Sequence, residues 1–217
     1  QLLPLSTWHA TLEPCNHVGK TPACSSLIES VHPARVVVSA LDPNPTVKGG
    51  GIDRLQRAGI QVHTGCLETE TQWQNRRFFH NSKLQRTYAV LKWAQSRDGF
   101  MDPRIREERK AGSGGRPITS PGSAPLTHRW RAQEMGIAIG VETAIVDEPT
   151  LNVRHGAGKS PQVIVIDPNN RLPQTHPMFE RQGAEAIIHI IGEDESSFAA
   201  RTCHWNPQDG LEVLLEK

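Results

Sequence analysis

Short β-branched runs alternate with amphipathic stretches along the first 80 residues of the chain. The apolar runs predict three strands, over residues 8–12, 35–40 and 60–63. The stretches that follow them predict three helices, over residues 21–30, 49–58 and 67–80, of which the second should stop at Gly59. This alternating order is typical of a parallel sheet covered by helices.

The pattern restarts near residue 81. It predicts four further strands, over residues 88–94, 136–141, 162–167 and 184–191, and one helix over residues 126–134. We therefore predict a domain boundary within residues 80–86. Residues 102–117 are rich in Arg, Lys, Glu and Gly, which indicates a mobile, solvated surface loop more than a nucleic-acid patch.

Composition narrows the class of partner. The 217 residues carry a net charge of +1, so no concentrated basic stripe is available for nucleic acid. No apolar run approaches the roughly 18 residues of a membrane span. We expect a small-molecule partner, no nucleic acid and no membrane, while self-association stays open.

Four cysteines do not suggest a disulfide framework, and Cys66 and Cys203 look like plain thiols, which favours the reducing cytosol.

The segment from Thr11 to Cys24 carries the strongest chemical signal. Cys15 follows Pro14 directly, and eight residues separate it from Cys24. Two thiolates can hold a zinc ion, which lowers the pKa of a bound water toward neutrality and makes a hydroxide nucleophile. Thr21 and Pro22 can start a helix with Cys24 in its first turn, where a thiolate is favoured. By base rate alone, two such cysteines are more often buried thiols than ligands.

This motif, with its long insert between the cysteines, resembles the bifunctional riboflavin-biosynthesis family, in which a pyrimidine deaminase is fused to a pyrimidine reductase. The resemblance implies that Cys15 and Cys24 bind zinc, and that the substrate pocket is lined by His17, Lys20 and Asn44. The third ligand and the proton shuttle of such deaminases come from a His-x-Glu motif, which does not occur in this sequence.

The absent motif leads us to expect that the sequence is an internal fragment, with no catalytic residue of the deaminase inside it. Expressed alone, it should have little deaminase activity. Glu13 should be structural rather than the shuttle, and His9 should be an ordinary strand residue. On this view, residues 1–82 belong to a partial cytidine-deaminase-like α/β/α domain, and residues 83–217 to a partial dihydrofolate-reductase-like α/β domain.

Two further segments, residues 91–99 and residues 143–154, resemble the reductase half of the same family. The resemblance implies NADPH contacts at positions Ala94, Pro117, Thr143, Asp147 and Pro168. At Pro117 the family usually has Trp and at the position of Pro168 a small polar residue, so a stacking contact should be lost or replaced. Lys92 matches a lysine beside the pocket, and Leu151 and Arg154 match substrate contacts, where the Arg154 fork suits a phosphate.

The expected function is therefore zinc-dependent deamination of a phosphoribosylated diaminopyrimidinone, followed by reduction of its ribose to a ribityl chain with NADPH. Two alternatives stay open. A single-activity nucleoside or tRNA deaminase is disfavoured by the cysteine spacing and by the second domain. A non-catalytic binding protein that kept the fold is supported by the absent His-x-Glu and by Pro117.

Overall fold

A computed structural model describes residues 3–45, 47, 50–104, 106–182, 187–193, 195–197, 201–210 and 212–213. The contacts divide the chain into two compact units, one that ends at Ala89 and one that begins at Val90. We predicted the boundary between residues 82 and 83, and the assignment of each unit to a catalytic domain stays a prediction. No helix in the described part of the chain is long and apolar enough to cross a membrane.

The first unit is a three-stranded parallel sheet whose strand order follows the chain, as the alternating pattern predicted. Its elements are β1 (Thr7–Leu12), α1 (Cys24–Val31), β2 (Arg35–Ala40), α2 (Gly50–Arg57), β3 (Gln61–Thr64), α3 (Glu68–Gln74) and α4 (Arg76–Leu84). The central strand β2 is buried by helices because Val36 and Val38 pack against Ile28, Leu55 and Ile60. Gly59 ends the helical turn after α2 with a left-handed φ of 83°, as predicted.

Two helix predictions in this unit need correction. The predicted helix over residues 67–80 is two helices, because the Asn75 side chain donates to the Thr71 carbonyl and its backbone leaves helical geometry (φ −99°, ψ 23°). The predicted helix start at residue 21 is also wrong. Helix α1 begins at Cys24, after Pro22 and an extended N-cap residue, Ala23. Of the predicted helix 49–58, residue 49 lies outside the described residues.

The second unit is a four-stranded parallel sheet, again in chain order. Its elements are α5 (Ala124–Arg131), β4 (Gly136–Gly140), α6 (Val141–Asp147), β5 (Gln162–Ile166), α7 (Pro177–Gln182), β6 (Ile187–Ile191) and β7 (Arg201–His204). The core between helices and sheet consists of Val141, Ala144, Leu151, Val163, Val165, Leu172, Met178 and Ile187.

Several expectations for this unit fail. The strand predicted over residues 88–94 is absent, because none of the described strands pairs with this segment, and Leu91 is 83% exposed. Helices α6 and α7 and strand β7 were not predicted. The strand predicted over residues 184–191 begins at Ile187 in the described residues, and 184–186 lie outside them. The loop over residues 102–117 is not wholly solvated, since Arg104 is only 7% exposed.

Candidate functional site

Cys15 and Cys24 of the first unit lie close together after the end of β1. The Cys24 backbone N–H, the first of α1, donates to Cys15 Sγ at 3.3 Å, and the Ser25 N–H donates to the Cys15 carbonyl at 3.1 Å. The pKa of the Cys24 thiol is raised by its hydrogen bond with the Cys15 side chain and by burial. We expected the helix N-terminus to favour the Cys24 thiolate. That expectation stays a prediction for the zinc-bound thiolate, and the hydrogen bond between the two thiols acts against it here.

Helices α1 and α2 both hold the loop that carries Cys15, which follows the carboxyl end of β1. Asn16 Oδ1 accepts from Ser25 Oγ at 2.9 Å and from Arg54 Nη1 at 3.2 Å, which connects the loop to α1 and α2. At Gly51 a Cβ atom would lie 1.7 Å from the Pro14 carbonyl oxygen, so only glycine lets α2 approach this closely. The position of Cys15 therefore depends on backbone contacts with both helices.

The other predicted residues of this unit lie near the same edge. Asn44 follows β2, the neighbour of β1, and its backbone N–H donates to Asp42 Oδ1 at 2.8 Å. His17 and Lys20 are exposed in the loop between the cysteines. Glu13 is 4% exposed, and neither of its carboxylate oxygens has a hydrogen-bond partner among the described residues. Ligands of open parallel sheets generally bind at such carboxyl edges.

The number and type of available ligand side chains decide whether zinc fits the site at Cys15 and Cys24. A catalytic zinc needs three protein ligands and an open position. Within the described ranges there is no group of three or more His, Cys, Asp or Glu residues that could hold a metal ion. The two thiols fit part of a zinc site and do not complete one, so we derive no reaction step through zinc.

In the second unit, helix α6 presents Thr143 and Asp147 four residues apart, and hence on one face. A glycine-rich loop wraps the end of the helix: the Gly112 and Gly114 N–H groups donate to the Ile145 and Val146 carbonyls at 2.9 and 3.0 Å. Burial raises the pKa of Asp147, and the charge of nearby Arg104 opposes that rise.

Arg104 anchors this loop. It donates from Nε and Nη2 to the Asp102 carboxylate at 2.7–3.2 Å and from Nη1 to Ser113 Oγ at 2.7 Å. These bonds lower the pKa of Asp102 to about 2. An open cavity of about 470 Å³ beside the pair is lined by Arg104, Glu108, Lys110, Ser113 and Arg116. Its size is within the range of small-molecule sites, and Lys110 and Arg116 are its two cations besides Arg104, which is paired with Asp102.

A second cationic group forms where the loop after α6 crosses α5. Arg131 Nη1 donates to the Asn152 carbonyl at 2.7 Å, and Arg154 Nη1 donates to Asn152 Oδ1 at 3.1 Å. Asn152 therefore accepts a hydrogen bond from each guanidinium. Arg154 also donates to Thr150 Oγ1. Neither arginine forms an ion pair with a carboxylate among the described residues. Burial and the neighbouring Arg154 lower the pKa of Arg131. We name Arg131 and Arg154 the arginine pair.

The remaining predicted positions differ in exposure. Leu151 is 6% exposed and belongs to the core despite its left-handed φ of 52°, so a substrate contact by its side chain stays a prediction. Pro168 lies two residues after the end of β5, and its carbonyl accepts from the Gly192 N–H at 3.0 Å. Pro117 and Lys92 are exposed, and Ala94 is half-buried in a segment without regular structure.

Sequence reasoning missed several polar contacts. The fully buried Asp167 accepts from the Arg171 and Leu172 N–H groups at 2.9 and 2.8 Å, and contacts His189 Nε2 at 3.1 Å, which fixes the turn that carries Pro168. Arg131 lies inside the predicted helix over residues 126–134 and was not predicted to belong to a site. A polar residue inside an apolar strand pattern is the sequence feature that could have indicated such contacts. His189 within Ile187–Ile191 is an example.

A known protein family matches the residues of the second unit. The profile of the RibD C-terminal domain family matches residues 87–216. The chain belongs to the RibD C-terminal domain family. The curated RibD relative from Aquifex aeolicus, "Riboflavin biosynthesis protein RibD", is 35% identical over 98% of this chain and 56% of its own length. The protein of the same name from Escherichia coli is 34% identical over 82% of this chain and 50% of its own length.

Solved RibD structures share the fold. Acinetobacter baumannii RibD superposes with a TM-score of 0.76 at 29% identity, over 95% of this chain and 57% of that one. A diaminohydroxyphosphoribosylaminopyrimidine deaminase/5-amino-6-(5-phosphoribosylamino)uracil reductase from Thermotoga maritima gives a TM-score of 0.79 at 26% identity, with 95% and 56% covered. The chain thus spans about half the length of the RibD proteins it matches, and the family profile leaves the first unit outside.

Proposed function

We propose that the second unit is the reductase of riboflavin biosynthesis and reduces the ribose of a phosphoribosylaminopyrimidine to a ribityl chain. The observation that carries this proposal is the arginine pair: two guanidiniums meet at Asn152 without a carboxylate partner in the described structure. Holding two like charges together is costly, and a phosphate would relieve that cost with charge-assisted, bidentate bonds. Membership of the RibD C-terminal domain family supports the same function.

The cofactor side of the site would lie along α6 and the edge of the sheet. Position Thr143 is exposed at the start of α6, and Pro168 follows the adjacent strand β5. Ala94, Pro117 and Asp147 would complete the NADPH contacts, with Lys92 beside the pocket. Lys110 and Arg116, which line the cavity beside Arg104, would be the cations available to a cofactor phosphate. When bound, NADPH supplies the hydride, and this chain's residues bind and orient the reactants.

We further propose that the first unit contributes to a zinc-dependent pyrimidine deaminase, with Cys15 and Cys24 as two of the metal ligands. The adjacent thiols support this role, as does the loop fixed between α1 and α2. His17, Lys20 and Asn44 would contact the substrate. The proposal requires a third ligand and a proton shuttle from outside the described residues. The lack of such a third donor is also the observation that favours the alternative, a first unit that binds a ligand without catalysis.

The reductase proposal is tested by following NADPH consumption with 5-amino-6-(5-phosphoribosylamino)uracil. Arg154→Ala should raise KM by about 10- to 100-fold with little change in kcat, because a charge-assisted bond to the phosphate is lost in both the ground and transition states. Lys159→Ala removes an exposed cation from the same loop and serves as the matched control, with KM unchanged. Equal increases of KM in both variants, or an Arg154→Ala variant whose KM is unchanged, would refute the proposal.

The deaminase proposal is tested by zinc content per chain in the unaltered protein and in Cys15→Ala. Cys66→Ala, an exposed thiol after β3, is the control. Zinc that is lost only in Cys15→Ala supports a metal role for the pair. Zinc retained in Cys15→Ala would contradict it.

A further inference from the structure

The ring of His128 connects α5 to the loop that carries Arg154. His128 is 5% exposed, and its Nδ1 atom lies 3.0 Å from the Arg154 backbone nitrogen. A backbone N–H can only donate, so Nδ1 must accept and therefore carries no proton. The geometry thus selects the neutral tautomer that is protonated on Nε2.

The surroundings of the ring also oppose its protonation. Arg131 faces it from the same helix, and Arg154 and His155 face it from the loop, with the His155 ring packed edge-to-face at a centroid distance of 4.7 Å. Burial, the largest cause, and then the electrostatic interactions with Arg131, His155 and Arg154 lower the pKa of His128 below its ordinary value of 6.5. A protonated ring would set an N–H at Nδ1 against the Arg154 N–H, donor against donor.

Two other contacts attach this loop to α5. Arg131 bonds the Asn152 carbonyl, and Gly158 lies so close to the end of α5 that a Cβ atom there would be 2.6 Å from Ala132 Cβ. Neither contact reaches the Arg154 backbone itself. Among the described residues, His128 is therefore the side chain whose hydrogen bond attaches the Arg154 main chain to the helix that carries Arg131.

We propose that the neutral His128 ring is a positioning residue, which holds Arg154 beside Arg131 so that the two guanidiniums bind one phosphate. This inference rests on the proposed phosphate site and adds a residue that acts through another. It assigns His128 no contact with substrate. It also predicts that phosphate binding depends on pH through His128, which does not itself contact the phosphate.

The test measures ribose 5-phosphate affinity by calorimetry as a function of pH. His128→Asn keeps an acceptor, since Asn Oδ1 can occupy the place of Nδ1, but it cannot titrate. His128→Leu removes the acceptor. We expect His128→Leu to weaken binding about tenfold at neutral pH, the size of one lost hydrogen bond that leaves a partner unpaired, and His128→Asn to bind within about twofold of the unaltered protein.

Measuring the affinities at lower pH makes the test specific for protonation of His128. Ribose 5-phosphate takes up a proton near pH 6, which weakens binding to every variant alike. The ratio of unaltered to His128→Asn affinity removes that effect. The ratio should fall as pH drops below 6.5, toward the lowered pKa of His128. A ratio independent of pH, or a His128→Asn variant as weak as His128→Leu, would overturn the proposal.

A second readout does not depend on any ligand. Amide exchange at Arg154, followed by NMR, should be faster in His128→Leu and unchanged in His128→Asn, and the nitrogen shifts of His128 should show the Nε2-protonated tautomer. Failure of ribose 5-phosphate to bind better than ribose, with these NMR results as expected, would refute the phosphate site and leave His128 as the support of the loop. The opposite tautomer would refute the role of His128 whatever the ligand binds.

Discussion

The two units use the same architecture and place their polar residues differently. Each is a small parallel sheet in chain order, with helices against it. In the first unit, the candidate site is local: Cys15 and Cys24 lie nine positions apart on one loop and the helix it enters. In the second, the contacts that bring the arginine pair together join distant segments: His128 binds Arg154, 26 positions away, and Arg131 binds Asn152, 21 positions away. A local motif can be recognised in sequence even when its site is incomplete, whereas a site assembled by the fold cannot.

The largest effect should come from the backbone contact that fixes the local motif. Gly51→Ala would place a Cβ atom 1.7 Å from the Pro14 carbonyl oxygen, so α2 or the cysteine loop must move. We expect a loss of about 2–3 kcal/mol or more in the free energy of unfolding, measured by urea denaturation. Gly50→Ala is the matched control, because its Cβ would meet Asn16 at an ordinary 3.5 Å. Equal stabilities of the two variants would show that α2 does not hold the loop.

A smaller effect tests the assembled site in the second unit. Gly158→Ala would bring two Cβ atoms within 2.6 Å and lift the loop from α5, at a cost of about 1–3 kcal/mol. Gly156→Ala shares the positive φ but meets nothing within 4 Å, and so controls for backbone strain. Ribose 5-phosphate affinity should fall further in Gly158→Ala than in Gly156→Ala. If the control loses as much affinity, close packing on α5 does not support the arginine pair.

The Asp102–Arg104 pair gives a pH-dependent test of the charged loop. The folded pKa of Asp102 is about 2, below its ordinary 3.8, so its contribution to stability is complete above 3.8 and is lost as pH falls toward 2. Asp102→Asn should lower Tm at neutral pH, and the difference from the unaltered protein should shrink over that acid range. A difference in Tm that does not change with pH would contradict the ion pair.

Asp147 should give the smallest effect, with the opposite sign. Burial raises its pKa, so its contribution to stability falls as pH rises above the ordinary 3.8, and the loss is complete once the pH exceeds the folded pKa. Asp147→Asn should raise Tm slightly at neutral pH and weaken NADPH binding in a fluorescence titration. That combination would identify Asp147 as a residue kept for binding at some cost to stability. A lower Tm would instead make it a structural residue.

The sequence allowed most of the first unit and part of the second to be predicted. The buried run of β2 and the glycine stop after α2 are local features, and both predictions were confirmed. The strand predicted over residues 88–94 was wrong because its apolar pattern has no neighbouring strand to pair with. Helix α6 was missed because it begins directly at the end of β4, without a polar N-cap to mark it.

The polar contacts of the second unit could not be predicted for a related reason. Asp102 and Arg104 were assigned to a solvated loop, because nothing local indicates that Arg104 becomes buried beside Ser113. Arg154 was predicted as a substrate contact and Arg131 only lay inside a predicted helix, and the fold brings both to Asn152. Family resemblance suggested Arg154 as a phosphate ligand, and only the structure supplied its companion.

The measurement that tests this account most directly is the affinity of the chain for ribose 5-phosphate compared with ribose, repeated in a variant with both Arg131→Ala and Arg154→Ala. The arginine pair predicts that the phosphate strengthens binding by at least about tenfold in the unaltered protein, and that this preference disappears in the double variant. Equal affinity for the two sugars, or a preference that survives the loss of both arginines, would contradict the proposed phosphate site.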